Sequence, residues 1–251
     1  TSNQTLGNGV INMTGGTITG VAGSNLDFFQ GSSALNSLAS ATTSTVSGPS
    51  LSIRQAGGLT ITTADGAADI DLDITSVIAQ KNAGEPLTKA GPGTLRLGGN
   101  NTYTGPTNIN AGELSVTGAL GVTAVTVGTG ATLSGNGTIG GSVNFDTASK
   151  LDVSAGVLTV TGNVTFDGFG FDDVIGFDPY TSPNGTYVLI EGTNFDFTNV
   201  ANFGEANALD LGSGRSAWFT EGSFAAVVVP EPGSAALLLF SSLTLLRRRR
   251  A

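Results

Sequence analysis

Apolar and polar residues alternate in short bursts along most of the chain, and Gly, Ser, Asn or Asp break each burst. A period of two places alternate side chains on opposite faces, so the pattern predicts short strands and tight turns in place of helices. Residues 6–20 (LGNGVINMTGGTITG) read as two strands about a Gly-Gly turn, and residues 51–63 (LSIRQAGGLTITT) read the same way. Residues 21–50 are less periodic, with Phe28 and Phe29 predicted to supply core bulk at one end. In residues 68–75 (ADIDLDIT), Asp69, Asp71 and Asp73 alternate with Ile70, Leu72 and Ile74. This predicts a half-buried strand that shows a ladder of carboxylates to water.

A second, longer interval lies over the first. Val125, Val143 and Val164 can be aligned, as can Leu133 with Leu151 and Ile139 with Leu158. The spacing is roughly 20 residues, close to the repeat of one coil of a solenoid. Each coil is predicted to hold three short strands, with Val, Leu and Ile inside and Thr and Ser outside. One coil cannot bury its aliphatic row alone, so stability must come from stacking. Residues 167–224 change character: Phe becomes frequent, Trp218 appears, and residues 184–192 (NGTYVLIEG) read as a strand after an Asn-Gly turn. This stretch is predicted to cap the last open coil with larger side chains.

Residues 87–118 carry the most specific pattern: Lys89-Ala90-Gly91-Pro92-Gly93-Thr94-Leu95, then Gly99-Asn100-Asn101-Thr102-Tyr103-Thr104-Gly105, Thr107-Asn108-Ile109 and Ala111-Gly112-Glu113-Leu114. The segment resembles the autotransporter-associated β-strand repeat of large exported bacterial proteins. The resemblance implies a right-handed parallel β-helix in which the repeat is a coil, not a catalytic unit.

Charge and composition narrow the functions. The net charge is −9, and Arg247–Arg250 are four of the ten basic residues, so the body before them sets six basic against nineteen acidic side chains, or −13. Such a body repels phosphate backbones, which argues against nucleic acid as a partner. With no Cys and no His, disulfides, thiol catalysis, Cys-ligated zinc and Ser-His-Asp triads are excluded. The sequence opens at Thr1 without Met or a leader pattern, as expected of a mature form or a fragment.

The last residues read VVPEPGSAALLLFSSLTLLRRRRA. Val229, Pro230, Glu231 and Pro232 form a breaker that predicts an exposed, kinked linker. Residues 235–246 are uncharged, with Leu237, Leu238, Leu239, Phe240, Leu243, Leu245 and Leu246 as membrane-anchor candidates. As a helix they would span about 18 Å, less than the roughly 30 Å hydrocarbon core. Arg247, Arg248, Arg249 and Arg250 would act as a cytoplasmic basic stop. The order of breaker, short apolar helix and basic terminus resembles the PEP-CTERM sorting signal. That resemblance implies processing by an exosortase-type enzyme and delivery to the cell surface or extracellular matrix, with transient or stable membrane anchoring.

Candidate chemistry is sparse. Alternate carboxylates of Asp69, Asp71 and Asp73 would lie about 7 Å apart, in the range of an inverting glycosidase pair. Lys81 is the only basic complement read nearby, and a solvated strand face is the preferred reading. Asp167, Asp172 and Asp173 lie in a stretch resembling one calcium-binding nonapeptide; no second copy follows, so a turn with surface aspartates is preferred. Gly91-Pro92-Gly93 lacks the Gly-Lys-Ser/Thr of a phosphate loop and reads as a coil corner. Tyr103 could meet a sugar ring but reads as packed.

The expectation is thus an all-β, right-handed parallel β-helix over residues 1–166, a β-rich cap over 167–227, and a sorting and anchor tail with a short hydrophobic helix over 228–251. No catalytic residue, cofactor or metal site is assigned. The leading function is an exported structural or adhesive solenoid that binds exopolysaccharide or other surface proteins. The alternatives are a polysaccharide lyase or hydrolase on the same scaffold, and the C-terminal stalk of a longer surface protein.

Overall fold

The computed structural model describes residues 3–6, 8–21, 23–31 and 33–230. Within them the chain is all-β: its strands are mostly three or four residues long, and the only helical turns are the 3-10 turns Phe171–Asp173 and Glu205–Asn207. The short C-terminal helix expected from the sequence lies outside the described residues.

The strands stack in parallel into a solenoid with three faces per coil. One face holds nine strands, beginning with Val10–Met13 and Ala34–Ser37 and ending with Val164–Phe166 and Phe195–Asp196. A second holds eight, from Thr17–Thr19 to Val174–Ile175. The third begins as the four strands from Asn3–Leu6 to Ile78–Gln80 and resumes at Ala119–Leu120. The gap between them is bridged by residues 100–102, where Thr102 N–H donates to Ile78 O and Asn101 N–H to Ala119 O.

Register is set by like residues stacking on like. On the eight-stranded face Leu72, Leu95, Leu114, Leu133 and Leu151 form one continuous inward row. On the nine-stranded face Val125 stacks on Val143 and Val143 on Val164, as the longer interval in the sequence predicts. Ile139 stacks on Val160 instead of Leu158, which pairs with Ile190. The two candidates lie on the same face two residues apart, so alternation alone does not choose between them. All the leucines and valines of these rows are buried. Strand length stays nearly constant while corners vary. Thr60 and Thr88 are neighbours in the stack, as are Asn108 and Thr126, yet the chain takes a much longer path between the first two than between the second two.

Among its described residues, the less periodic segment 21–50 contains the strands Asn25–Phe28, Ala34–Ser37 and Ser44–Ser47, and it ends on the first residue of Ser50–Ile53. Their periodicity is muted because serines occupy inward positions: Ser37 and Ser44 are buried and bond to each other through their hydroxyls at 3.0 Å. Phe28 is fully buried as expected, but Phe29 is 39% exposed and lies under the Arg54 guanidinium at 4.3 Å. Adjacent strand residues face opposite ways, so only one of the two can enter the spine.

Pairing changes after the last coil. Gly185–Glu191 continues the parallel stack on one edge, through Leu158↔Ile190. Its other edge pairs antiparallel with Phe224–Pro230, followed by Arg215–Thr220 and Leu209–Gly212. Phe224 meets Phe166 at 4.6 Å, Phe219 at 4.9 Å and Phe169 at 5.8 Å, so one aromatic cluster joins coils to hairpins. Val228 is buried and Val229 pairs with Ser216, so the chain stays extended to Pro230 and the boundary drawn at 228 falls inside a strand.

Leu133→Ala removes the centre of the leucine row and is expected to cost about 3 kcal/mol of unfolding free energy. The outward Thr126→Ala is expected to change it by less than about 0.5 kcal/mol. Urea unfolding of both variants measures the difference.

Candidate functional site

The repeat segment buries three large polar side chains, Lys89, Asn101 and Tyr103. Lys89 lies in the aliphatic spine, stacked between Ile61 and Ile109, and is 1% exposed. Its Nζ donates to the carbonyls of Ala90 at 3.1 Å, Gly91 at 2.8 Å and Ala111 at 2.9 Å, using all three ammonium protons. One of these bonds crosses to the next coil. Gly91 (φ +78°) and Gly112 (φ +65°) form the corners around it, where a Cβ would press on carbonyls of the preceding coil. Burial pushes the Lys89 pKa down to about 8, against the raising fields of Asp71 and Glu113.

Asn101 is a second clasp. Its Oδ1 accepts from Ile78 N–H at 2.9 Å, and its Nδ2 donates to Gly99 O and Ala119 O, both at 3.0 Å. It therefore ties three successive coils. Tyr103 is fully buried, and its hydroxyl lies 2.8 Å from Thr107 Oγ1; burial raises its pKa. Thr107 Oγ1 lies 3.0 Å from Thr123 Oγ1, which donates to Gly105 O at 2.6 Å. Lys89, Asn101 and Tyr103 thus satisfy backbone and hydroxyl groups of neighbouring coils, and none of them faces solvent.

Residues 68–75 do not form the water-facing aspartate ladder that alternation predicts. Only Leu72–Ile74 is strand, Asp69 is exposed, and Asp71 and Asp73 are buried. Asp71 accepts backbone N–H from Gly66 and Thr94, each at 2.8 Å, and latches two coils together. Asp73 takes both Arg96 Nε at 3.0 Å and Nη2 at 2.6 Å from the next rung. The basic complement is therefore Arg96, not Lys81, which pairs with Asp27 at 3.3 Å beside Arg54 at 3.1 Å. Arg96 supplies its bidentate cover from a whole coil downstream, a separation over which alternation carries no signal. With their oxygens engaged in these bonds, Asp71 and Asp73 form no open carboxylate pair.

The three calcium candidates do not converge. Asp167 accepts from Thr147 Oγ1 at 2.6 Å. Asp173 accepts from Lys150 Nζ at 2.8 Å and Gly170 N–H at 2.9 Å, which orders the turn Phe171–Asp173. Asp172 is exposed. Among the described residues, no group of three or more His, Cys, Asp or Glu is placed to hold a metal ion. Asp172 and Asp173 instead line an open cleft of about 540 Å³ with Phe171, Phe177, Asp178 and Tyr180. The sequence marked Asp172 and Asp173 only as calcium candidates and not as part of a cleft, because the lining joins segments 168–180 and 201–209 that are distant in the chain.

The nine-stranded face carries one uninterrupted outward row: Thr60, Thr88, Asn108, Thr126, Asn144 and Thr165 occupy successive rungs and end on Asp196. Neighbouring strands lie about 4.8 Å apart, so the row offers hydroxyls and amides at regular spacing. Thr165 Oγ1 donates to Asn144 Oδ1 at 2.7 Å, which orients part of the row.

Of the tail, Val229 and Pro230 end the last strand. Glu231, Pro232, the anchor leucines with Phe240, and Arg247–Arg250 lie outside the described residues. Among the described residues no helix is long and apolar enough to cross a membrane.

Lys89 gives a pH signature. The unfolded chain holds its proton to the ordinary value of 10.5, and the folded chain only to about 8. Between these values unfolding takes up a proton, so the stability linked to Lys89 is absent below pH 8, grows with pH and is complete above 10.5. Urea unfolding across this interval is expected to show the native chain gaining stability relative to Lys89→Met; a flat difference would remove burial as the governing effect.

Residues 87–116 match the family model of the passenger-associated-transport-repeat. No curated protein and no solved structure matches the chain. The match falls on the segment that holds Lys89, Asn101 and Tyr103, so residues 87–116 are similar to an autotransporter-associated repeat and fold as coils of a parallel β-solenoid.

Proposed function

We propose that the chain is an exported, non-enzymatic solenoid of the cell surface or extracellular matrix, which binds matrix polysaccharide or surface proteins through its regular outward faces. The carrying observation is the row from Thr60 to Thr165, uncharged hydroxyl and amide side chains on consecutive rungs. Each contact is weak, but contacts on one stiff scaffold add without further loss of freedom, so a repeating polymer is held by number. The similarity of residues 87–116 to a passenger-associated repeat supports export.

In this proposal the coil is right-handed, the sense that parallel crossovers almost always take. The hairpins beyond residue 185 are a cap that keeps the last coil's edge from pairing with other chains. Val229, Pro230, Glu231 and Pro232 are the recognition element of a PEP-CTERM-type signal handled by an exosortase-type enzyme. Residues 235–246 then act as the membrane anchor, with Arg247–Arg250 held on the cytoplasmic side. Nucleic acid is not a partner, because the acidic body repels phosphate.

Cell fractionation with mass spectrometry of the C-terminus is expected to place the protein in the surface or matrix fraction, ending near Pro230-Glu231-Pro232. Full-length protein confined to the cytosol overturns the export reading. The double variant Asn108→Glu/Thr126→Glu is expected to fold normally and lose matrix retention several-fold; unchanged retention removes this row as the binding face.

A further inference from the structure

The cleft at the junction of coils and hairpins is a separate site. Its volume of about 540 Å³ lies within the range of small-molecule sites. Two of its aromatic lining residues are already packed: Phe171 stacks on Phe219 at 4.1 Å and Phe177 meets Tyr187 at 5.0 Å. Tyr180 differs. It is 56% exposed, lines the cleft, and has neither a ring partner nor a hydroxyl partner among the described residues. Its loop is nonetheless fixed, because Arg215 donates to the carbonyls of Tyr180, at 3.1 Å, and Ser182, and to Asn184 Oδ1 at 3.2 Å. Elsewhere in the lining, the Phe171–Asp173 turn is held by the Lys150–Asp173 ion pair and by Lys150 Nζ donating to Asp172 O. A free aromatic shelf on a rigid mount suits the C–H face of a pyranose ring.

The charges of the cleft select among sugars. The exposed Asp172 carboxylate has no partner among the described residues, whereas Asp173 is paired. Asp178 accepts from Tyr180 N–H at 2.9 Å and Thr181 Oγ1 at 3.0 Å, which leaves it oriented, exposed and able to accept more. Among the described residues no Lys or Arg lines the cleft. The six basic side chains before the tail are all engaged: Arg54 and Lys81 on Asp27, Arg96 on Asp73, Lys150 on Asp173, and Lys89 and Arg215 on carbonyls. The two cations at its edge are already bonded, Lys150 to Asp172 O at 2.9 Å and to Asp173 at 2.8 Å, and Arg215 to the Tyr180 carbonyl, so a uronate would meet the unpaired Asp172 and the exposed Asp178, whereas an ammonium would be received by them.

We propose that this cleft binds an amine-bearing pyranose, a glucosamine-type unit of a glycan, with the ring on Tyr180, the ammonium on Asp172 and hydroxyls on Asp178. The site is distinct from the outward Thr and Asn row and does not depend on the role of that row. The test is isothermal titration calorimetry of the full chain with a glucosamine tetramer, an N-acetylglucosamine tetramer and a galacturonate tetramer. The glucosamine tetramer is expected to bind, more weakly as salt rises, and the galacturonate tetramer not to bind. Tyr180→Ala and Asp172→Asn are each expected to weaken binding about tenfold, and Asp172→Asn to remove most of the salt dependence. Both side chains are exposed, so thermal unfolding should match the native chain. Asn108→Glu/Thr126→Glu should bind the tetramer as the native chain does, which separates this site from the strand face. No binding of the glucosamine tetramer at millimolar concentration overturns the proposal. So does affinity unchanged in both cleft variants, or tighter binding of the acetylated or galacturonate tetramer.

Discussion

Every strand of the coils is short, so each depends on pairing in register with the coils stacked against it. The parallel ladder is therefore the constraint from which the rest follows. It forces equivalent positions of successive coils into contact, and a row stays dry when each coil supplies an apolar side chain, or a bonded polar one such as Lys89, at that position. Leu72, Leu95, Leu114, Leu133 and Leu151 are one such row. The same rule applied outward turns single Thr and Asn residues into a continuous strip.

At several points where the spine departs from aliphatic, polar groups bind across coils. Lys89 directs its ammonium at three carbonyls, Asn101 spans the two sides of an interrupted face, and Asp71 caps two backbone N–H groups. An unpaired buried group costs about 1–3 kcal/mol, so each clasp also penalises any slip of register that would leave it open. This accounts for the specificity of the 87–116 pattern: its residues are geared to one another, and the corners around them have no room for a Cβ at Gly91 or Gly112.

The parts legible in the sequence are those where alternation and like-on-like stacking agree, as at Val125, Val143 and Val164 or Leu133 and Leu151. Alternation fixes a face but not a rung, which is why Ile139 meets Val160 and not Leu158. It also marks a charge as water-facing without knowledge of what the next coil lays over it, so Asp73 under Arg96 reads as a free carboxylate. Phe29 reads as core from its bulk, although Phe28 has already taken the inward position. The cleft beside Tyr180 leaves no periodic trace at all, since it joins segments 168–180 and 201–209 that follow different architectures.

Corners that vary while strands do not have an evolutionary consequence. The chain between Thr60 and Thr88 is far longer than that between Asn108 and Thr126, yet each pair sits on neighbouring rungs and the pairing is unbroken. Gene changes that add or delete residues at a bend, or that duplicate one whole turn of the superhelix, leave every surviving ladder intact. A single-codon insertion inside a strand instead turns that segment inside out. Lineages carrying this architecture should therefore differ in length by bend inserts and whole turns, while frame within each rung is held fixed.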